Sequence, residues 1–170
     1  VVEDFGLENS KFSDDFRIRH ASRGIVFDPK TNKVAVVVKT KIKEYKLPGG
    51  GKEEDENPEE TFYREILEET GCKVKITKKM GTTTEERSNI DQKQFSDIFI
   101  AELVEDTGEL HPTKKEQDEG LTIEWVDLDK AIELVKKSFN NVIGDDEDVY
   151  VAHFVIERDL RILEAYKNEA

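Results

Sequence analysis

Apolar residues in this chain first occur in runs and alternations of strand length, and only in places at helical spacing. Phe16 to Phe27 has a mixed but strand-like pattern, and Lys33 to Thr40 holds five consecutive small or β-branched residues, Val34 to Val38. Asp28-Pro29-Lys30-Thr31-Asn32 supplies turn chemistry between them, which predicts a hairpin whose second strand is buried on both faces. Lys39 to Lys46 reads as a charged connector into the turn Leu47-Pro48-Gly49. Lys73 to Met80 alternates Val74 and Ile76 with lysines, as a strand with one exposed face does, whereas the polar stretch Thr82 to Gln94 predicts a loop or hairpin turn. Gln94 to Glu105, with Phe95, Ile98, Phe99, Ile100 and Leu103, predicts a central strand. Asp106 to Gly120 reads as a long polar loop of the kind that often carries function, and Leu121 to Val126 as a further strand.

Helical spacing takes over in three places. Asn57 suits an N-cap, Pro58 the first helical position and Gly71 the left-handed position after the last turn, so a helix ends at Thr70 with Phe62 and Ile66, joined by Tyr63 and Leu67, as its apolar stripe. Asp127-Leu128-Asp129 caps a helix to about Ser138, carried by Ala131, Ile132, Leu134 and Val135. After a break over Asn140 to Asp148, a last long helix is expected over about 149–167, from Val151, Phe154, Val155, Leu160, Leu163 and Tyr166. The acidic run Asp145 to Asp148 lacks the alternating ligand spacing of a calcium loop and reads as helix-start charge. Short β segments followed by helices in this order predict an α/β fold, a mixed sheet flanked by helices. Residues 1–14, polar with isolated Phe5, Leu7 and Phe12, are expected to be a flexible arm, and 15–170 one domain, a length that suffices for one core.

Charge narrows the partners. Lys and Arg number 26 against 39 Asp and Glu, a formal charge of −13. Nucleic acid duplexes and anionic membranes both want a basic footprint, so neither is an expected partner. A phosphate-bearing substrate would be repelled as well, unless metal ions mediate. No transmembrane run longer than Val34 to Val38 and no signal-like start is present, so a cytoplasmic location is the default expectation; the first residue is not Met, which leaves a trimmed N-terminus open. The lone cysteine, Cys72, allows neither an intramolecular disulfide nor a cysteine zinc site and reads as core.

Candidate chemistry concentrates between residues 48 and 72, where a glycine loop leads through an acidic ramp into the first helix. Glu65, Glu68 and Glu69 stand three and four residues apart on one helix face. Like charges at that spacing repel by about 0.2–0.5 kcal/mol per pair, and a helix C-terminus is already the negative end of the macrodipole. Something cationic is therefore expected among them. Arg64 offsets part of the charge, and a hard divalent ion such as Mg²⁺, which takes one or two carboxylates together with substrate phosphate oxygens, would offset more. The alternative is a solvated acidic face. The glycine loop on one side and the helix cap on the other favour the ion.

The same stretch resembles the Nudix box, the signature of hydrolases acting on nucleoside diphosphates linked to another moiety. Its pattern of Gly, five residues, Glu, seven residues, Arg-Glu, an aliphatic, any residue, Glu-Glu, any residue, Gly and an aliphatic falls on Gly50, Glu56, Arg64, Glu65, Ile66, Glu68, Glu69, Gly71 and Cys72. Only Cys72 departs from it, and Cys packs as a small hydrophobe. The resemblance implies an α/β/α sandwich with a small additional sheet, and a Mg²⁺-dependent (Mn²⁺ possible) hydrolysis of a phosphoanhydride in a small-molecule nucleotide. It assigns the metal to Glu65, Glu68, Glu69 and the Gly50 carbonyl, with Glu65 an alternative base. Arg64 and Glu56 orient the cluster, supported by Gly49 and Gly51. Family members often draw a further carboxylate from a later loop; Glu119 is the first candidate, then Glu116, then Asp118. The window Arg87-Ser88-Asn89-Ile90 contains neither the Pro of ADP-ribose enzymes nor the Tyr of diadenosine polyphosphate enzymes, and the coenzyme A motif is missing, which leaves the MutT-like pool. A Nudix-fold sensor that binds a nucleotide without cutting it is the competing reading, although such proteins commonly lose box carboxylates.

Other residues take their place around this site. Arg17, Arg19 and Arg23 share one strand parity and read either as surface charge or as phosphate contacts, with Arg23 the preferred substrate-binding candidate. His20, His111 and His153 are scattered without paired ligand spacing and read as structural or surface residues. Trp125 reads as packing at the end of its strand. The apolar C-terminal helix could serve a homodimer as well as the core.

Overall fold

The computed structural model describes residues 12–169, and these form one mixed sheet with helices on both sides. In chain order the strands are β1 (Arg17–Asp28), β2 (Lys33–Lys39), β3 (Glu44–Lys46), β4 (Gly49–Gly51), β5 (Cys72–Arg87), β6 (Gln92–Asp106) and β7 (Leu121–Val126). The helices are α1 (Pro58–Thr70), α2 (Lys114–Glu119), α3 (Leu128–Lys137) and α4 (Asp146–Glu169).

β1 is the strand on which the site depends. One edge runs parallel to β6, from Arg17 opposite Gln92 to Phe27 opposite Glu102. The other edge is shared: Ala21, Ser22 and Arg23 face Gly51, Gly50 and Gly49 of β4, and the hairpin with β2 is confined to Phe27 and Asp28. β2 then diverges and pairs instead with β7 and β3. The predicted hairpin is thus present at its turn, while the rest of that β1 edge is given to the glycine strand.

Period-two alternation sorts the core into two layers. Ile25, Val34, Val36, Val38 and Ile98 pack with Ala131 and Val135 of α3 and with Ile156, Ile162 and Leu163 of α4. Val26, Ala35, Phe99 and Ala101 pack with Phe62 and Ile66 of α1, Phe62 and Phe99 having ring centroids 5.2 Å apart. Fully burying a side chain such as Phe62 or Ile66 stabilises the fold by about 1.5–3 kcal/mol. β2 contributes to both layers and is buried from Val34 through Val38, as its apolar run predicts.

Four readings are corrected. The connector before the glycine turn contains β3, whose Tyr45 and Glu44 pair with Val38 and Lys39. Residues 82–94 are not a loop, because β5 continues to Arg87, a short turn covers 88–91 and β6 starts at Gln92; the polar side chains Glu85, Arg87, Gln94 and Ser96 are buried on one face of the two strands. The polar stretch 106–120 contains α2, started by a capping box between Thr113 and Glu116. Tyr63 and Leu67 do not join the buried stripe of α1; both are exposed, and the Tyr63 hydroxyl accepts from the Ile76 N–H at 3.2 Å.

Of the expected arm, residues 1–11, with Phe5 and Leu7, lie outside the described residues, while Phe12 packs edge-on against Phe16 at 5.6 Å with Lys93 over both rings. The acidic run does start α4, with Asp145 Oδ1 accepting from the Asp148 N–H at 2.9 Å. No helix among the described residues is long and apolar enough to cross a membrane.

Candidate active site

The site is assembled by the way α1 is started, stopped and tied to β4. Asn57 accepts from the Glu60 N–H and the Glu60 carboxylate accepts from the Asn57 N–H, a complete capping box, with Pro58 in the first turn. Gly71 (φ 69°) ends the helix in the left-handed conformation, its N–H on the Leu67 carbonyl. Ser22 of β1 donates to the Pro58 carbonyl at 2.7 Å and fixes the helix start against the central strand. These contacts set the rotation of α1 that turns Glu65 and Glu69 toward the glycine strand.

Each glycine of β4 has a different neighbour. A Cβ at Gly49 would stand 2.3 Å from the Arg23 Cβ, and one at Gly50 would stand 2.3 Å from the Glu65 carboxyl carbon. One at Gly51 would lie 3.0 Å from the Arg19 guanidinium. The strand is bare because the β1 backbone at Gly49, the Glu65 carboxylate at Gly50 and the Arg19 guanidinium at Gly51 occupy the space that side chains would need.

Arg64 is the hub of the carboxylate side. It grips Glu56 in a two-point contact through Nε (2.5 Å) and Nη2 (3.1 Å), and Nη2 also donates to the Gly51 carbonyl at 2.9 Å. Nη1 donates to Glu65 Oε1 at 2.8 Å and Glu68 Oε2 at 3.2 Å. Such paired, charge-assisted bonds are the strong ones. They hold the Glu56 carboxyl down to about 2 and raise the Arg64 guanidinium. The Glu65 carboxyl is pushed up, chiefly by burial; Arg64 opposes this, and the charges of Glu69 and Glu68 add to it.

The three helix carboxylates do not converge on one point. Among the described residues no group of three acidic, His or Cys side chains is arranged to hold a metal ion. Glu65 and Glu68 meet at Arg64, while Glu69 is buried and accepts from the Gly49 N–H at 2.9 Å and from Lys46 Nζ at 3.3 Å. The expected cations are therefore Arg64 and Lys46. A hard divalent cation nonetheless suits this donor set, because two carboxylates, Glu65 and Glu68, already close on a single positively charged atom and offer it oxygens alone.

These groups line a cleft of about 510 Å³ that runs from α1 across β4 to β1, α2 and α4. A family model described as NUDIX domain matches residues 18–144, from β1 to the start of α4. The chain belongs to the Nudix family. As a Nudix protein it is a nucleotide pyrophosphohydrolase in the general sense. The fold agrees: a solved NUDIX hydrolase from Nitrosomonas europaea superimposes with a TM-score of 0.63 over 90% of each chain at 15% identity. A UDP-X diphosphatase superimposes with a TM-score of 0.57 over 93% of this chain and 67% of its own, at 16% identity. No curated protein sequence matches.

Within the Nudix cleft the other candidates are distributed unevenly. Arg23 lines it and is buried, which removes the surface-charge reading for that residue, and Arg19 lines it from the same strand. Arg17 does not; it is exposed and donates to the Ile90 carbonyl. Glu116 lines the cleft, whereas Glu119 faces away, 3.5 Å from Lys39 in a neighbouring concavity, and Asp118 lines neither. The His20 ring stacks on Phe95, His153 packs on Phe139, and His111 gives its backbone N–H to the Glu68 carbonyl, so no imidazole lines the cleft. Sequence reasoning missed Arg87, Arg158, Gln94 and Lys46, which all line it. The legible signal for two of them was the alternation Thr83-x-Glu85-x-Arg87 opposite Gln92-x-Gln94-x-Ser96, a polar face on paired strands.

Proposed function

We propose that this protein hydrolyses a phosphoanhydride in a nucleoside di- or triphosphate linked to another moiety, with Mg²⁺ as cofactor, Mn²⁺ able to replace it, and a MutT-like substrate range. The observation that carries this reading is the closure of Glu65 and Glu68 on one cationic atom beside the bare glycine strand. Glu65, Glu68 and Glu69, with the Gly50 carbonyl, are the groups that would hold the metal. The bound ion supplies neutralisation of charge on the reacting phosphate oxygens and a more acidic water.

The chain's own residues do the positioning. Arg64, fixed by Glu56 and the Gly51 carbonyl, sets the side-chain directions of Glu65 and Glu68. Glu69 and Lys46 hold the Gly49 end of the strand. Burial raises the Glu65 carboxyl, and Glu65 is the alternative base if Glu68 and Glu69 hold the metal without it. Glu116 of α2 is the proposed assisting carboxylate in preference to Glu119, a reading supported by its lining the cleft. Arg23 would contact a substrate phosphate.

The test is incubation with Mg²⁺ and a panel of nucleoside triphosphates, oxidised nucleotides, nucleotide sugars and dinucleoside polyphosphates, with products identified by chromatography and mass. Turnover that stops on chelation and returns with Mg²⁺ supports the proposal. Binding of panel members without any turnover would instead make the protein a nucleotide sensor.

A further inference from the structure

Across the cleft from α1 stands a wall of arginines, of which the proposed hydrolysis uses only Arg23. Arg23 comes from β1, Arg87 from the end of β5 and Arg158 from α4, and they are only 4%, 5% and 1% exposed. Two buried carboxylates are available to them, Glu85 and Asp159. Glu85 accepts from Arg87 Nη2 at 2.7 Å and from Arg158 Nη1 at 3.3 Å. Asp159 accepts from Arg158 Nε at 2.8 Å and spends its other oxygen on the Leu47 N–H at 2.9 Å. No carboxylate is left to hydrogen-bond Arg23 among the described residues, although Asp159, Glu85 and Glu69 act on its charge through space. The Arg23 Nε, like that of Arg87, has no hydrogen-bond partner among the described residues.

Burying a cation without a partner is one of the most expensive things a fold can do, costing several kcal/mol even after relaxation. Burial and the neighbouring Arg158 charge bring the Arg23 guanidinium down to about 10, so it still carries its charge at neutral pH. Burial would raise the Glu85 carboxyl, but Arg158 and Arg87 together hold it below the usual carboxylate range, so Glu85 stays ionised and fully engaged. The wall therefore has donors and positive charge in excess. The ring nearest the wall is that of Phe154, which lies 5.8 Å from the Arg87 guanidinium and does not line the cleft; among the described residues no aromatic side chain lines it, although stacking on an aromatic is the usual way to hold a base.

We propose that the Arg23–Arg87–Arg158 wall is a second anion subsite, which takes a phosphate carried by the substrate beyond the anhydride held at the box, with Arg23 and Arg87 as the donors. The substrate is then selected by an anionic far end and not by a stacked base in this cleft. The far phosphate can belong to a nucleoside triphosphate tail or to a phosphorylated moiety joined to a nucleoside diphosphate. This deepens the proposed function and rests on it for the substrate, but not for the anion binding.

Two measurements separate those dependences. The first is calorimetric titration with inorganic pyrophosphate in chelator, on the wild type and on Arg23→Gln and Arg87→Gln. Each substitution is expected to weaken binding at least tenfold. Because Arg23 leaves no carboxylate orphaned when neutralised, Arg23→Gln should also raise Tm, which a purely structural arginine would not do. Arg23→Gln with a lowered Tm and a pyrophosphate affinity within twofold of wild type overturns the subsite. The second is Mg²⁺-dependent kcat/KM for a nucleoside triphosphate, a nucleoside diphosphate joined to a phosphorylated sugar, and one joined to a neutral hexose. At least one anionic-ended substrate should be preferred at least tenfold over the neutral one, and which of the two it is names the source of the phosphate. Arg23→Gln should collapse that preference. Equal use of all three overturns the substrate selection. Absence of turnover on all three refutes the hydrolysis while leaving the calorimetric result to decide the anion site.

Discussion

On the α1 wall of the cleft every carboxylate has one of the protein's own cations within reach: Glu56, Glu65 and Glu68 share Arg64, and Glu69 has Lys46. On the opposite wall the imbalance runs the other way, with Arg23 lacking a hydrogen-bonded carboxylate among the described residues and two carboxylates divided between Arg87 and Arg158. The first wall is stable as it stands and can exchange one cation for another. The second is complete only when an anion arrives. In a chain of formal charge −13, such a locally basic wall is what makes an anionic substrate admissible at all.

The strongest way to break this contrast is to remove charge from the balanced wall. Glu68→Gln keeps shape and hydrogen bonding but takes away one of the two carboxylates that close on Arg64. It is expected to lower kcat by about 10²–10³-fold, the size of loss seen when one preorganised electrostatic contact is deleted. Because Glu68 is half-exposed, Tm should stay near the wild-type value. Steady-state kinetics with a Tm measured on the same sample decides it; near-normal kcat would remove Glu68 from the site.

A smaller loss is expected from a change that touches no charge. The Cβ of Gly50→Ala would meet only the tip of the Glu65 side chain, so the carboxylate has to move while the backbone stays. Displacing a reacting group by about 1 Å costs about 10²-fold at most, and kcat/KM should fall by 10- to 100-fold with the fold retained. A wild-type kcat/KM would show that the position of Glu65 against the glycine strand is immaterial.

The two walls were not equally legible in the sequence. The box helix could be read because its signals are local: Asn57, Pro58 and Gly71 fix its ends within one segment, and the spacing of Glu65, Glu68 and Glu69 follows from 3.6 residues per turn. The spacing did not reveal that Glu69 separates from the other two, since that depends on Lys46 and the Gly49 N–H, which approach from other strands. The arginine wall was hidden for the same reason, in stronger form. Arg23, Arg87 and Arg158 come from three elements distant in sequence, and the strand face bearing Glu85, Arg87 and Gln94 resembles a loop to any reading that expects buried faces to be apolar. Glu116 and Glu119 sit three apart on a six-residue helix, and only its docking sends one to the cleft and the other to Lys39.

The finest probe of the contrast is pH, applied to Glu56, whose carboxyl the Arg64 hydrogen bonds hold at about 2 against an ordinary value of 4.5. A carboxyl depressed in the folded state stabilises the fold fully above its ordinary range, and that stabilisation is lost as pH falls through the folded value. Glu56→Gln should therefore lower stability near neutral pH by about 1 kcal/mol, the lower end for a hydrogen bond to a charged group at a partly solvated site. The deficit should be constant above pH 5, shrink between about 4.5 and 2, and vanish below that range. Urea unfolding of both proteins across this interval measures it. A deficit that persists undiminished at the acid end would mean that Glu56 holds Arg64 through shape and neutral hydrogen bonding, and that the balance of charge on the α1 wall does not depend on the Glu56–Arg64 pair.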